Sequence, residues 1–262
     1  MKQSKPIWID LEKRPEIAKV DLLVKRQLME EPPTLGHGYS HFKKVARLAF
    51  LVALENNFER PQTAYVGGLL HDLYRPAEGK AGQEEHEEET AKIARCLLRK
   101  TEFSSDSDEI VEAILHHDEI IQKGESNILT EIISIADKAD MNFQRAVAYS
   151  WASNKALKGK GTVAYKSFYE TMRDFCLYQV KAWKVFLAVR IKGVNRAVEA
   201  YLKTNEDLIR AVRDECQGKI KFTEEVVILA RKEAQQEMRY LKSAAASEEE
   251  IAKITTKFSE LL

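Results

Sequence analysis

Residues that interrupt helices are scarce in this sequence. Its 262 residues include only 11 glycines and 6 prolines. A fold of many short strands needs these residues at its turns, so their scarcity argues against such a fold. Ala, Leu, Glu, Lys and Arg dominate the composition instead, and these residues favour helices. We therefore expect an all-α protein.

Cysteine is also scarce, and long apolar runs are absent. Cys96, Cys176 and Cys216 lie far apart, a spacing that excludes a zinc knuckle or a disulfide framework. We expect them to be reduced thiols, buried or half-buried. Residues 1–10 lack the features of a secretion signal, and no later run is long and apolar enough to span a bilayer. The sequence thus predicts a cytoplasmic protein with no membrane partner.

No charge of either sign prevails, because 41 Lys and Arg balance 41 Asp and Glu. Nucleic acids and anionic membranes attract proteins that carry a basic excess, so neither is indicated as a partner. Any binding of a phosphate group must depend on a few local cations.

Apolar residues recur at helical spacing along most of the chain. The expected helices run from Pro15 to about Met29, from Tyr39 to about Asn57, from Gln62 to Leu73, from Glu84 to about Lys100, from the Ser105–Glu109 segment to His117, and from Ile128 to about Trp151, with two or three more between Tyr165 and Arg213 and others starting at Thr223 and Ser247. We expect residues 1–217 to form one domain. Residues 218–262 would form a C-terminal helical hairpin that packs on this domain or on a second subunit, the latter giving a homodimer.

The histidines are concentrated in one part of the chain. All six lie within the first 117 residues and none in the second half. Each falls near the end of an expected helix or on an apolar helix face. They are His37, His41, His71, His86, His116 and His117.

Two carboxylates accompany these histidines in apolar surroundings. Asp72 follows His71 at the end of a nearly continuous apolar segment, and Asp137 lies within the apolar part of a later helix. A buried charge needs partners or a cation. Imidazoles suit iron, manganese, zinc or nickel, and a carboxylate can bridge two such ions. Two cations about 4 Å apart can hold a hydroxide and orient a phosphoryl group for in-line attack. The pattern predicts a site for one or two divalent transition metals.

The same ordered set of residues resembles the HD-domain superfamily of metal-dependent phosphohydrolases over about residues 36–140. The resemblance implies an HD-domain helical bundle with additional C-terminal helices. It also implies a first metal position, formed by His41, His71, Asp72 and Asp137. In a second position, His86 and His116 would bind with Asp72 as the bridge. His117 would be either a further ligand or a contact to substrate.

The resemblance also suggests which residues contact the substrate. Arg75 stands where many members have a lysine three residues after the aspartate, and its planar guanidinium would bind a phosphate oxygen well. His37 is either an extra ligand or the acid that protonates the leaving group. Lys138, Lys158 and Lys160 are further candidates for binding an anionic substrate.

Several of these residues also have simpler interpretations. His86 lies among glutamates and could belong to a solvated helix start. Adjacent helical residues point about 100° apart, so one of His116 and His117 is a bystander. His37 could lie on the surface, and Arg75 could form a surface ion pair of little energetic value.

The sequence therefore predicts a phosphohydrolase that cleaves a small phosphate ester, of a nucleotide or a related metabolite, with a metal-bound hydroxide as the nucleophile. Two alternatives from other classes stay open. One is a di-iron oxygenase, since some enzymes with similar ligand sets on this fold activate dioxygen. The other is a non-catalytic nucleotide-binding module, which would bind its ligand without turnover.

Overall fold

The computed structural model describes residues 8–30, 37–74, 83–118, 127–140 and 235–261. These residues form helices joined by turns, with no strand among them. The helices are α1 (Trp8–Glu12), α2 (Pro15–Glu30), α3 (Tyr39–Glu55), α4 (Pro61–Leu70), α5 (Gln83–Leu98), α6 (Ser107–His116, after a 3-10 turn at Ser104–Asp106), α7 (Ile128–Ala139), α8 (235–242) and α9 (Glu248–Leu261). The all-α prediction is confirmed.

The central element is α4. All eight residues from Thr63 to Leu70 are buried, which is why this segment shows no polar face in the sequence. It packs against α3, α6 and α7. Because α4 is covered on several sides, the residues that follow it enter the interior of the bundle.

Two neighbouring glycines allow α4 to approach the surrounding helices closely. A Cβ on Gly68 would lie 2.9 Å from Cα and 3.0 Å from N of Ala46 in α3. A Cβ on Gly67 would instead lie 2.5 Å from Cδ1 of Ile133 in α7. The first obstacle is backbone, whereas the second is the movable end of a side chain. Gly68 therefore sets the distance between α3 and α4.

We expect Gly68→Ala to lower the free energy of unfolding by about 1–3 kcal/mol, the usual cost of overpacking a core. Gly67→Ala is the matched control. Its methyl group displaces only a side-chain terminus, and alanine favours the helix by up to about 1 kcal/mol. Urea unfolding of both variants measures the difference. Equal stabilities for the two variants would contradict this account of the contact between α3 and α4.

Several boundaries differ from those expected from sequence. α4 ends at Leu70 rather than Leu73, so that His71 and Asp72 lie in the turn that follows it. The imidazole of His71 bonds the carbonyl of Gly68 at 2.9 Å, and this contact helps to end the helix. α1 was not expected. Cys96 is exposed on α5, so the prediction of a buried or half-buried thiol is wrong at this position.

Other sequence predictions lie outside the described residues. These are Cys176 and Cys216, the extension of α7 toward Trp151, the Asn154–Thr162 loop, the helices between Tyr165 and Arg213, the start at Thr223 and the domain boundary after residue 217. Among the helices that the structure does describe, none combines the length and apolarity needed to cross a membrane.

A partly buried ionic network joins α2 to α3. Asp21 accepts a hydrogen bond from Lys43 Nζ at 2.7 Å and another from the hydroxyl of Tyr39, and Lys25 Nζ lies 3.1 Å from its second oxygen. Burial raises the pKa of Asp21, but the charge and hydrogen bond of Lys43, with Tyr39 and Lys25, outweigh it and hold the pKa below its usual value. The ionised carboxylate therefore stabilises the fold.

This lowered pKa predicts an acid-sensitive contribution to stability. A carboxyl group with a depressed folded-state pKa stabilises the protein fully above its unfolded pKa of about 3.9, and the contribution is lost as the pH falls through the folded value. We expect Asp21→Asn to cost about 1–3 kcal/mol at pH 7 and progressively less below pH 4. Urea unfolding of the wild type and the variant at pH 7 and below pH 4 tests this. Asp10→Asn, a substitution at an exposed aspartate, is the control. A pH-independent difference would contradict the prediction.

The C-terminal helices contact the start of α3. Glu237, buried in α8, accepts a hydrogen bond from the backbone N–H of Ser40 at 2.9 Å. The N-cap residue Gly38 provides no side-chain cap, and the Glu237 carboxyl group occupies the space that a Cβ there would need. Tyr240 packs its ring against Tyr39 with the centroids 5.1 Å apart. α8 thus supplies the cap for the helix turn that carries His41.

Candidate metal centre

Five parts of the fold deliver imidazoles and carboxylates to one buried place. His41 lies in the first turn of α3, and His86 lies near the start of α5. His71 and Asp72 follow the end of α4, and His117 and Asp118 follow the end of α6. α7 contributes Asp137, and Asp140 comes directly after that helix. Helix ends suit this task because the side chains project beyond the packed apolar faces of the bundle.

The tightest group consists of His41, His71 and Asp137, which are all buried. The Nε2 atoms of the two histidines are 3.1 Å apart. Asp137 Oδ1 lies 3.1 Å from Nε2 of His41 and 3.6 Å from Nε2 of His71. Two imidazole nitrogens and a carboxylate oxygen thus converge from three helices.

The rings of His41, His71 and His117 are each oriented by a hydrogen bond at Nδ1. His71 Nδ1 donates to the carbonyl of Gly68 at 2.9 Å, and His117 Nδ1 donates to the carbonyl of Ile114 at 2.7 Å. His41 Nδ1 donates to Asp140 Oδ2 at 2.8 Å. Because Nδ1 holds the proton in all three, the lone pair of each neutral ring is on Nε2 and faces the cluster. Metal-binding histidines are held in this way by a carbonyl or carboxylate behind the ring.

The donor set fits a cation. With both Nδ1 atoms acting as donors, the Nε2 lone pairs of His41 and His71 face each other at 3.1 Å, which is repulsive unless a proton or a metal ion lies between them. Burial lowers the pKa of His71, but Asp72, followed by Asp137, outweighs it, so the pKa lies above its usual value. A proton therefore occupies His71 readily when no metal does, and metal binding must displace it.

Asp72 is positioned to serve more than one cation. Its Oδ2 lies 3.7 Å from Nε2 of His71 and 4.0 Å from Nε2 of His37. Its Oδ1 lies 3.7 Å from Nε2 of His117 and 3.9 Å from Nε2 of His86. The two oxygens of one carboxylate thus face two different pairs of imidazoles. This is the arrangement expected of a bridging ligand.

His117 has the properties of a neutral ligand. Its ring is fully enclosed, and its Nε2 has no hydrogen-bond partner within the described part of the chain. Burial lowers the pKa of His117; Asp118 opposes this effect and His71 adds to it. A buried nitrogen that keeps its lone pair at neutral pH is a suitable metal ligand.

The structure separates the two adjacent histidines at the end of α6. His117 is buried within the cluster, whereas His116 is exposed, and no group of potential ligands among the described residues includes it. The predicted ligand role of His116 is therefore not supported by its position. The physical reason is the angle of about 100° between successive helical residues, which allows only one of the pair to face inward.

Two other histidines with competing interpretations also lie inside. His86 is buried despite its glutamate-rich neighbours, with its Nε2 3.9 Å from both Asp72 and Asp118. His37 is buried, and its ring lies edge-on to that of His41 with the centroids 5.8 Å apart. The structure places both next to the cluster rather than at the solvated surface.

The predicted substrate contacts fall largely outside the described part of the molecule. Arg75, Lys158 and Lys160 are not among the described residues, and Lys138 lies in α7 beside Asp137 with its side chain outside the description. Their roles stay predictions.

Sequence reasoning missed two carboxylates of the cluster. Asp140 binds His41, and its position three residues after Asp137 places both on one helix face, which was a usable signal. Asp118 lies 3.7 Å from Nε2 of His117 and 3.9 Å from Nε2 of His86. It follows the two histidines directly in a polar stretch, where a carboxylate would ordinarily be solvated.

Comparison with known proteins agrees with this geometry. No curated protein and no solved structure matches the chain. The family model described as HD domain matches residues 38–142. This range contains the whole cluster except His37, which lies one residue before it, and it confirms the resemblance seen in the sequence. Residues 38–142 of this chain therefore match the HD-domain family.

Proposed function

We propose that this protein is a metal-dependent phosphohydrolase that cleaves the phosphate ester of a nucleotide or a related metabolite. The observation that carries the proposal is the buried convergence of His41, His71 and Asp137, and of His71 with Asp72 and His117. Each of these histidines is fixed by a bond behind its ring. Such a set is costly without a cation and favourable with one. Its position within an HD domain supports phosphoester hydrolysis as the reaction.

The residues divide into two metal positions in this proposal. His41, His71 and Asp137 hold the first cation, His86 and His117 contribute to the second, and Asp72 bridges them. A bound divalent cation supplies Lewis acidity and a nucleophilic water at neutral pH. The protein residues orient the donor atoms, exclude bulk water by their burial, and keep each proton behind its ring at Nδ1.

His37 and the cationic side chains complete the proposal. Nε2 of His37 lies 4.0 Å from Asp72 Oδ2 at the edge of the cluster, where it serves either as an extra ligand or as the acid that gives its proton to the leaving oxygen. Arg75, three residues after Asp72, binds a phosphate oxygen of the substrate. Lys138, Lys158 and Lys160 contribute positive charge for the anionic ester.

The test begins with protein that has been stripped of metal by a chelator. Separate samples are reloaded with manganese, iron, nickel or zinc and assayed for phosphate release from a panel of nucleotides and other phosphomonoesters and diesters. We expect turnover with at least one metal and none in the stripped protein. Absence of turnover with every metal across the panel would overturn the proposal.

Two further measurements separate the alternatives. Iron-loaded protein that consumes dioxygen in the presence of a substrate, without releasing phosphate, would identify an oxygenase. Nucleotide binding without either reaction would identify a binding module. Both outcomes contradict phosphohydrolysis, so the same preparation decides among the three functions.

A further inference from the structure

Asp118 lies in the turn directly after α6, and its side chain is only 8% exposed. Its two oxygens point toward two different histidines of the cluster. Oδ1 lies 3.7 Å from Nε2 of His117, and Oδ2 lies 3.9 Å from Nε2 of His86. A nearly buried carboxylate that faces two imidazole nitrogens is a candidate metal ligand.

Asp72 faces the same two nitrogens from another side. Its Oδ1 lies 3.7 Å from Nε2 of His117 and 3.9 Å from Nε2 of His86. Asp72 and Asp118 thus lie at the same distance from Nε2 of His117, and both lie at the same distance from Nε2 of His86. Each of the two imidazole nitrogens lies within 4 Å of an oxygen of Asp72 and of an oxygen of Asp118.

The four distances are too long for hydrogen bonds, which end near 3.2 Å for N–H···O pairs. They are close to the spacing of ligands that share a metal. With metal–ligand bonds of about 2.0–2.2 Å, the corners of a tetrahedron lie about 3.3–3.6 Å apart. Asp118 belongs to two groups of side chains whose ligand atoms lie close enough together to hold a metal ion, one with His86 and Glu87 and the other with His117 and Asp137.

The orientation of His117 excludes the simplest alternative, a hydrogen bond to Asp118. Nδ1 of His117 donates to the carbonyl of Ile114, so its Nε2 presents a lone pair to the oxygens of both aspartates. Lone pairs repel one another at close range, and a cation among them makes the arrangement favourable.

We propose that Asp118 is a ligand of the second cation, together with His86, His117 and the bridging Asp72. This inference rests on the proposed function, because it assigns a residue to the second metal position of the same site. Asp118 takes the place that the family resemblance assigned to His116. Its carboxylate adds a negative charge to that of the bridging Asp72, and this charge favours a divalent ion.

The test counts metal ions per chain rather than activity. The full-length wild type, Asp118→Asn and Asp108→Asn are stripped of metal, titrated with manganese and analysed by calorimetry and elemental analysis. Asp108 is the matched control, since it is an exposed aspartate on α6, the helix that precedes Asp118. We expect two ions per chain in the wild type and in Asp108→Asn. Asp118→Asn should keep one ion with unchanged affinity and lose at least about 100-fold in affinity for the other, because substitutions behind a ligand already cost 10–100-fold.

Electron paramagnetic resonance gives a second readout. A spin-coupled manganese pair in the wild type should become an isolated manganese spectrum in Asp118→Asn, and Asp118→Glu should restore part of the coupling. Thermal unfolding of the stripped variants separates loss of a ligand from loss of the fold. A variant Asp118→Asn that folds and binds two ions with wild-type affinity would overturn the inference.

The stoichiometry of the wild type also separates this inference from the proposed function. One ion per chain together with phosphate release would overturn the role of Asp118 and leave the phosphohydrolase standing. No bound ion under any condition would overturn both.

Discussion

Replacing Asp72 by asparagine should abolish phosphate release and remove most of the bound metal. The substitution keeps the shape of the side chain and deletes its charge. Asp72 is the carboxylate whose two oxygens face four imidazoles, those of His37, His71, His86 and His117. Without it, neither proposed cation keeps its bridge. We expect metal affinity to fall by at least about 100-fold, because replacing a residue that only orients a ligand already lowers metal affinity by about 10–100-fold.

The loss in Asp72→Asn should be specific to the metal centre. Asp72 is buried and helps to raise the pKa of His71, so the metal-free variant should hold a proton on His71 less tightly. The apolar contacts of α4 do not involve this carboxylate, so we expect the variant to fold. Elemental analysis after dialysis and a phosphate-release assay measure the two losses, with Asp108→Asn as the control. Wild-type metal content in a folded Asp72→Asn protein would contradict a bridging role.

The fold class could be predicted from the sequence because helical periodicity is a local property. Ile17, Val20, Val24 and Leu28 recur at helical spacing, and all four are buried on one face of α2. The end of α4 could not be predicted in the same way. The apolar run continues to Leu73, which is itself buried, but the helix ends at Leu70, next to His71, which bonds the carbonyl of Gly68.

The candidate site was predictable where its residues lie within apolar sequence. His41, His71, Asp72 and Asp137 interrupt apolar segments, and each is buried in the cluster. His86 does not interrupt such a segment. Its inward position follows from the packing of α5. Sequence periodicity does not indicate which face of that helix is buried, because the helix starts with a run of glutamates.

Contacts between distant parts of the chain were beyond local patterns. Glu237 caps α3 across 197 positions of sequence, and nothing in the glutamates around it marks this one as buried. Asp118 is comparable, because its proposed role depends on how closely the start of α5 and the end of α6 approach. Both carboxylates become recognisable only when the nitrogen atoms near them are known. Long-range contacts therefore contribute the parts of the site that the sequence leaves undetermined.

The adjacent histidines at the end of α6 offer the most direct test of the inward-facing geometry. We expect His117→Gln to remove the second metal ion and to reduce phosphate release by at least about 100-fold, on the same scale of ligand loss. His116→Gln should change the affinity for the second metal ion and the rate of phosphate release by no more than about twofold. The reason is that substitutions at exposed positions rarely change a free energy by more than about 0.5 kcal/mol. The two variants make the same chemical change one residue apart, in the same turn of the chain.

The contrast between the two variants depends on the tautomer and burial of one ring. His117 directs Nε2 inward because Nδ1 is bonded to the carbonyl of Ile114, whereas His116 is exposed. Metal content, phosphate release and thermal unfolding should be measured on both. If His116→Gln loses the metal and His117→Gln keeps it, the helix end is rotated by one residue relative to this structure. If both variants lose it, the two histidines share the ligand role that the sequence resemblance first gave to the pair.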